Sequence, residues 1–412
     1  MDSSDVQVRI GVADDWEAVA DLVGHAFHQP YDQVWRDAEG SVYEPERSLI
    51  ADDAGQIVGH ASAYTRELSV PGAVVPAAHV TQVSVAPTHR RRGLLSRMMR
   101  RQLGEIAADG REAVAVLWAS EGKIYPRFGY GLAAQHLNVD VMTREIRLTD
   151  PAPATPAARL RLVQPGEAVA ELAKVYEQLR PDRPGWSSRD DRWWQYVLAD
   201  PESQRHGATA LHGVVADTAD GPTGYALWRG VSRWDGHGPD GEVRIREVVA
   251  ADPATYATLW RFLLSIDLTR KATAGFLPLD EPLQHLVDEP RRLGARVSDG
   301  LWIRLVDLPR ALAARRYATD VDVVLEVSDD LLAANTGQWR LTAGPGGATC
   351  TRSTDPADLA CTVLELGAAY LGGTSLAALG AAGRVRELTP GALAAASTAF
   401  GWHRLPHATE VF

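Results

Sequence analysis

One hexapeptide occurs twice, and it limits what this chain can fold into more than any other feature. Glu17-Ala-Val-Ala-Asp-Leu22 returns as Glu167-Ala-Val-Ala-Glu-Leu172. Both copies follow a short strand-like run with a central arginine: Arg9 between Val8 and Ile10, and Arg161 between Leu160 and Leu162. Six residues can match by chance in an alanine-rich chain, but the shared strand–helix context argues for duplication. The echo continues downstream. A strand reaching Val85, then Ala86-Pro87, then a helix from Gly93 parallels a strand over 242–249, then Ala250-Ala-Asp-Pro253, then a helix over 254–264. Only the first copy places an arginine-rich, glycine-containing turn between strand and helix. If that turn is the working part, the second copy is structural.

At roughly 100–200 residues per domain, 412 residues allow two to four domains. The texture predicts boundaries at 1–148, 149–299 and 300–412, with the Pro/Ala/Thr-rich stretch 149–159 as a linker. In the first segment, Val6 to Val12 alternates like a strand. Asp14 and Glu17 are spaced like a capping box ahead of a helix carrying Val19, Leu22, Val23 and Phe27. Strands are expected over 48–52 and 57–63, joined at Gly55, and another through Val80, Val83 and Val85. A helix over 93–108 carries one apolar stripe of Leu94, Leu95, Met98, Met99, Leu103 and Ile106. The continuous apolar run 113–118 reads as a buried central strand. The third segment predicts a helix over 309–317, strands over 321–327 and around Trp339 and Cys350, an Ala/Leu/Gly-rich stretch over 359–383 and a last helix over 390–400.

Hydrophobic residues make up 45% and charged residues 23%, which argues against disorder. The net charge of −11 disfavours nucleic acid and anionic membrane as partners and suits cationic ligands. Cys350 and Cys361 could form at most one bridge, which excludes a disulfide framework or a cysteine zinc cluster. No signal peptide or 18-residue apolar run is visible, so the expected setting is the cytoplasm with no membrane span. The spacing His403-x-x-x-His407 contains Pro406, which argues against a helix presenting both rings, so no metal site is expected. Trp193-Trp194 reads as a core anchor of the second segment.

The segment Val83-Ser84-Val85-Ala-Pro-Thr-His-Arg90-Arg91-Arg92-Gly93-Leu94-Leu95-Ser96 is a strand end, a tight basic turn and a helix start. Unpaired N–H groups at a helix N-terminus attract anions, the three arginines add fixed charge, and Gly93 allows close approach. A pyrophosphate is the natural guest. Taken alone, such a turn is more often a solvated arginine cluster. Its context resembles motif A of the GCN5-related N-acetyltransferases (GNATs), whose turn reads Arg/Gln-x-x-Gly-x-Gly/Ala. Leu95 departs from that pattern. The resemblance implies that the strand at Val83–Val85 binds pantetheine and polarises the thioester carbonyl of acetyl-CoA. A second mark follows at Ser120-Glu121-Gly-Lys-Ile-Tyr125-Pro-Arg-Phe-Gly-Tyr130, where the family carries a short helix ending in Tyr-x-x-x-Gly-Phe/Tyr. Tyr125 falls on the family's proton-donor position. On its own, Tyr125 would be read as a core aromatic.

These strings are similar to those of the Eis (enhanced intracellular survival) acetyltransferases of actinobacteria, along the whole length. That resemblance implies an α/β (α+β) fold: tandem GNAT domains, the second degenerate, then a sterol-carrier-protein-like C-terminal domain. It also implies a hexamer. The family's C-terminal carboxylate acts as general base or relays to one through water, a role that falls here on Phe412, with Glu410 nearby. Aminoglycosides are the family's best-known substrates, which implies antibiotic resistance, and Trp35 and Phe27 lie where the family places a substrate-binding wall. His28 stands where an acidic residue is expected. Protein or peptide lysine as acceptor, and a hydrophobic-ligand-binding protein with a vestigial GNAT half, are the competing readings.

Overall fold

The computed structural model describes residues 6–28, 32–149 and 158–412, so most of the expected linker, and Gln29–Tyr31 beside Phe27, lie outside the described residues. The chain divides into two units. One comprises Met1–Ala134, Pro181–Ser188 and Gly300–Phe412, and the other Gln135–Arg180 and Arg189–Asp299.

In the first unit a seven-stranded sheet runs β1 (Gln7–Ile10), β2 (Ser48–Asp53), β3 (Gln56–Val70), β4 (Ala73–Val85), β5 (Val114–Trp118), β16 (Leu301–Leu305), β6 (Gly131–Leu132). Its helices are α1 (Trp16–Phe27), α2 (Gln33–Val42) and α3 (Leu94–Asp109). The stripe predicted for α3 is its buried face: Leu94, Met98, Met99, Leu103 and Ile106 are all under 7% exposed. The expected capping box at Asp14 and Glu17 is replaced by Asp15. Arg9 holds the Asp15 carboxylate at 2.7 Å, which leaves it placed to accept the Val12 N–H at 2.8 Å. The strands of the central hairpin are far longer than the sequence suggested: β3 runs on past the expected 57–63 through Arg66 and Ser69, both buried, and β4 starts before Val80 and includes buried His79.

The second unit repeats this plan. Its sheet runs β8 (Arg159–Val163), β9 (His212–Thr218), β10 (Gly221–Val231), β13 (Gly241–Ala250), β14 (Thr269–Leu277), β7 (Gln135–Met142), β15 (Arg296–Asp299), with a small ribbon of β11 (Trp234–Asp235) and β12 (Gly238–Pro239). Its helices are α4 (Val169–Leu179), α5 (Asp191–Leu198), α6 (Pro253–Leu264) and α7 (Leu283–Leu286). In both sheets the fourth and fifth strands are parallel, joined through α3 or α6, and the other neighbours are antiparallel. The sixth strands are exchanged along the chain. β7, inside the expected segment 1–148, belongs to the second sheet, and β16, inside the expected segment 300–412, belongs to the first. Trp193 and Trp194 are buried on α5.

A third sheet, in the first unit, runs β19 (Gly347–Arg352), β18 (Gly337–Gly344), β17 (Val321–Ser328), β20 (Leu359–Thr362), β21 (Arg386–Glu387), with helices α8 (Leu308–Ala314), α9 (Val363–Ala369), α10 (Leu376–Ala381) and α11 (Ala392–Phe400). Helix α8 ends three residues before the expected Tyr317 because Arg315 turns inward. Its guanidinium is fully buried and donates to the carbonyls of Tyr370 (2.5 Å) and Phe400 (2.8 Å). Cys350 and Cys361 are free. Among the described residues, no helix is long and apolar enough to cross a membrane.

Candidate active site

The site begins where β4 and β5 part. Their parallel ladder holds only at Ala77–Val114, Ala78–Ala115 and His79–Val116. Leu117 and Trp118 pair on their other side with β16, and β4 continues along β3. The cause is an extra residue in β4: the β3 register shifts between His60 and Ser62, and Gln82 takes a left-handed φ of 51°. Past the bulge, Ser84 and Val85 still pair with His60 and Gly59 of β3 but no longer with β5. Ser84 Oγ is buried there with no hydrogen-bond partner.

Beyond Val85, a 3-10 turn (Pro87–His89) leads through Arg90–Arg92 to α3. His89 pins the turn: its Nε2 lies 2.9 Å from an Asp53 carboxylate oxygen and its Nδ1 2.8 Å from Thr88 Oγ1. Gly93, at φ 77°, is the N-cap and supplies no side chain, and a Cβ built on it would meet nothing within 4 Å. No side chain caps the first-turn amides of α3, among them those of Leu95 and Ser96. Arg90 and Arg91 are exposed, and Arg92 is tied to Thr88 O at 3.0 Å. In the second repeat the corresponding end is filled. Asp252 caps α6 by accepting from the amides of Ala254 and Thr255, both at 2.9 Å. The first repeat thus offers an anion site that its copy closes with its own carboxylate.

Tyr125 follows β5 through a turn carrying exposed Ser120 and Glu121. The expected short helix is a set of turns ending in a 3-10 helix at Pro126–Phe128, which Pro126 initiates at its first position. Tyr125 is 5% exposed and shares a cluster with Ala78 and Val80, against which Val83 and Leu95 also pack. Burial pushes its phenol up to about 12.

Phe412 lies on the opposite face of β4. Side chains alternate along a strand, so His79 and Thr81 face away from Ala78 and Val80. Thr81 Oγ1 donates to a carboxylate oxygen of Phe412 at 2.7 Å, and the Phe412 ring meets the His79 ring edge-on at 4.6 Å. Glu410 is engaged by Arg66 at 2.7 Å. Trp35 sits in the first turn of α2, its backbone N–H donating to Asp32 at 2.9 Å, and Phe27, 39% exposed, ends α1. Sequence reasoning missed Thr81, His79 and Gln82. The available signal was polar residues inside an otherwise apolar strand. His407 accepts from Trp186 Nε1 at 3.0 Å, and among the described residues no group of three or more His, Cys, Asp or Glu is placed to hold a metal.

Comparison with known proteins agrees with the repeated plan. Family models of the acetyltransferase (GNAT) domain match residues 7–133 and 185–305, and one of the sterol carrier protein domain matches 308–409. The chain is 46% identical to an uncharacterised N-acetyltransferase of Streptomyces avermitilis over 411 residues, covering 97% of this chain and 98% of the relative. It is 37% identical over 354 residues to the N-acetyltransferase Eis of Mycobacterium tuberculosis, covering 82% of each. Among solved structures, Eis1 from Mycobacterium abscessus superposes with a TM-score of 0.83 at 32% identity, over 98% of this chain and all of that one. A GCN5-related N-acetyltransferase from Anabaena variabilis shares the fold, with a TM-score of 0.84 at 20% identity over 99% of this chain and all of that one. A duplicated acetyltransferase plan ending in a sterol-carrier-type sheet, matched over nearly the full length by such relatives, makes this chain an N-acetyltransferase of the Eis family.

Proposed function

We propose that the chain transfers the acetyl group of acetyl-CoA directly to an amine of a polycationic small molecule of the aminoglycoside kind. One observation carries the reading. A gap between β4 and β5 has a phenol, Tyr125, on one face of β4 and a carboxylate, Phe412, on the other. Thioester aminolysis is helped by one group that accepts the amine's proton and another that supplies one to the leaving sulfur. The Phe412 carboxylate takes the proton as the amine nitrogen bonds to the acetyl carbon. The amides near Val83 stabilise the carbonyl oxygen. Tyr125 protonates the sulfur as the carbon–sulfur bond breaks. Arg90, Arg91 and the open α3 amides at Gly93–Ser96 suit the pyrophosphate, and Ser120 and Glu121 border the pantetheine path. Trp35 and Phe27 form the acceptor wall. Cys350 is buried and Cys361 half-buried in the third sheet, and no cysteine nucleophile is invoked.

The acceptor class rests on the −11 net charge and on the carboxylates of Phe412 and Glu410 beside β4. The family resemblance extends the reading to a hexamer in the cytoplasm, with 1–148 as the catalytic segment, 149–299 as the degenerate repeat and 300–412 as the sterol-carrier-like segment. The test is a thiol-release screen with acetyl-CoA across kanamycin, spermidine, a lysine peptide and simple monoamines. Release with kanamycin above all others is expected. Preference for the peptide would move the acceptor class, and no release with any amine would end the proposal.

A further inference from the structure

Residues 401–412 have no regular secondary structure, yet Pro406, His407, Ala408 and Phe412 are buried. Hydrogen bonds of a helix or strand do not order this tail, so something else must. The ordering element comes from the middle of the sequence. Pro181–Ser188 lies between α4 and α5 of the degenerate repeat, but folds with the first unit.

The segment is anchored first on β3. That strand outruns its neighbour β2, whose pairing ends at Ser62, and so leaves an open edge further along. Gly185 N donates to Ser69 O at 2.8 Å, Ser69 N to Trp186 O at 2.9 Å and Ser188 N to Glu67 O at 2.9 Å, with an antiparallel bridge between Leu68 and Ser187. The segment acts as a short added strand and closes that edge.

It then grips the tail at intervals. Arg183 Nη1 donates to Leu405 O at 2.9 Å, and His407 N donates to Pro184 O at 2.9 Å. Trp186 Nε1 donates to His407 Nδ1 at 3.0 Å. Gly185 has φ 95°, and a Cβ there would lie 2.4 Å from His407 O, so only glycine allows this approach. Arg66 links the strap and the tail, donating to Ser188 O at 2.9 Å and to Glu410 at 2.7 Å. Ser187 Oγ lies 2.7 Å from His79 Nε2, and His79 is the ring against Phe412. With His79 Nδ1–H directed at Ala77 O (3.0 Å), Nε2 accepts from Ser187 and the ring is neutral. Burial, with Arg66 nearby, holds its pKa well below the usual histidine value, so it does not ion-pair with the carboxylate it supports.

We propose that Trp186, Ser187 and Ser188 are positioning residues: the strap 183–188, contributed by the repeat that lost its phosphate turn, holds the Phe412 carboxylate at Thr81 in the orientation proton abstraction requires. This rests on the reading of that carboxylate as the base. A base displaced by about 1 Å loses up to roughly 100-fold in rate, while cofactor binding at the far side of β4 is untouched.

Two measurements test it in the full chain. Carboxypeptidase A, which removes C-terminal aromatic residues, reads tail docking without reference to catalysis. Release of Phe412 is expected at least ~10-fold faster from Ser187→Ala and Trp186→Phe than from the unaltered protein, at unchanged melting temperature; equal release overturns the strap. With kanamycin as acceptor, Ser187→Ala is expected to lower kcat ~10-fold or more at unchanged KM for acetyl-CoA. In a chain ending at Glu410 the same substitution should cost nothing further, since the group it positions is gone. An undiminished loss in that background overturns the proposal. If the truncated chain keeps full kcat, the base reading fails, and the carboxypeptidase result alone decides whether the strap holds the tail.

Discussion

At Tyr125 burial does two things at once. It raises the phenol to about 12, so the group is protonated throughout the neutral range. An exposed thiol near 8.5 would make proton transfer from such a phenol to a leaving thiolate steeply uphill. Desolvation, however, raises a thiol as well: Cys350 and Cys361, elsewhere in the chain, are both pushed up to about 12. If Tyr125 is the acid proposed above, a thiolate departing into the same apolar cluster would be shifted in the same direction, which narrows the mismatch. Tyr125→Phe keeps the packing and removes the proton; kcat should fall about 10²–10⁴-fold with KM for acetyl-CoA little changed, read by steady-state thiol release. His60 gives a second expectation at this scale. Fully buried, it is lowered to about 4 by desolvation, against 6.5 in the unfolded chain. The unfolded state thus binds more protons below pH 6.5, and stability must fall as pH drops from 6.5 to 4, by about 3 kcal/mol from this residue. Denaturant melts at pH 7 and pH 4.5 should differ, and His60→Gln should flatten the difference. The burial of His60 and His79 was not legible in the sequence, because a polar residue inside an apolar strand does not say whether the packing around it excludes water.

Between the two repeats the informative contrast is the N-terminus of one helix. Helix α3 starts at Gly93 with its first amides open, whereas α6 starts at Asp252 with two of its amides capped. Gly93→Asp should convert the first into the second. The new carboxylate would accept from the amides proposed to hold the pyrophosphate and place negative charge beside it, and the left-handed φ of 77° adds about 1 kcal/mol of strain. Acetyl-CoA affinity, measured by calorimetry, should fall at least tenfold, while thermal stability changes little because the cap offsets the strain. The reverse change, Asp252→Ala, should cost about 1 kcal/mol of stability and give no acetyl-CoA binding in the second repeat. This element was the most readable part of the chain, since strand, basic turn and amphipathic helix all leave local signatures. The splay next to it was not, because it depends on one extra residue in β4 whose effect exists only in the pairing with β3 and β5.

For the molecule as a whole, the echoed hexapeptide was enough to expect two related units, and both sheets follow one strand order. The exchange of β7 and β16 could not be read, since a strand's own pattern does not name its sheet. Nor could the strap at 183–188, whose partners lie more than a hundred residues away in either direction. Charge acts at this scale too. With 53 acidic and 42 basic residues the field is negative overall, while Arg90–Arg92 gather positive charge at one turn. Under the proposed function, a polyamine approaching the site would be drawn by the whole field, whereas acetyl-CoA would be attracted only within a few ångströms of that turn. Salt separates these ranges, because the screening length is about 10 Å at 0.1 M and about 3 Å at 1 M. Raising ionic strength from about 0.05 to 0.5 M should therefore lower kcat/KM for kanamycin several-fold, and should lower it much less for a monoamine of similar size, whose single charge couples weakly to the same field. Steering acts on encounter, so kcat at saturating amine should stay constant across the series. Equal salt dependence for the two acceptors would mean that the acidic surface has no part in choosing the substrate.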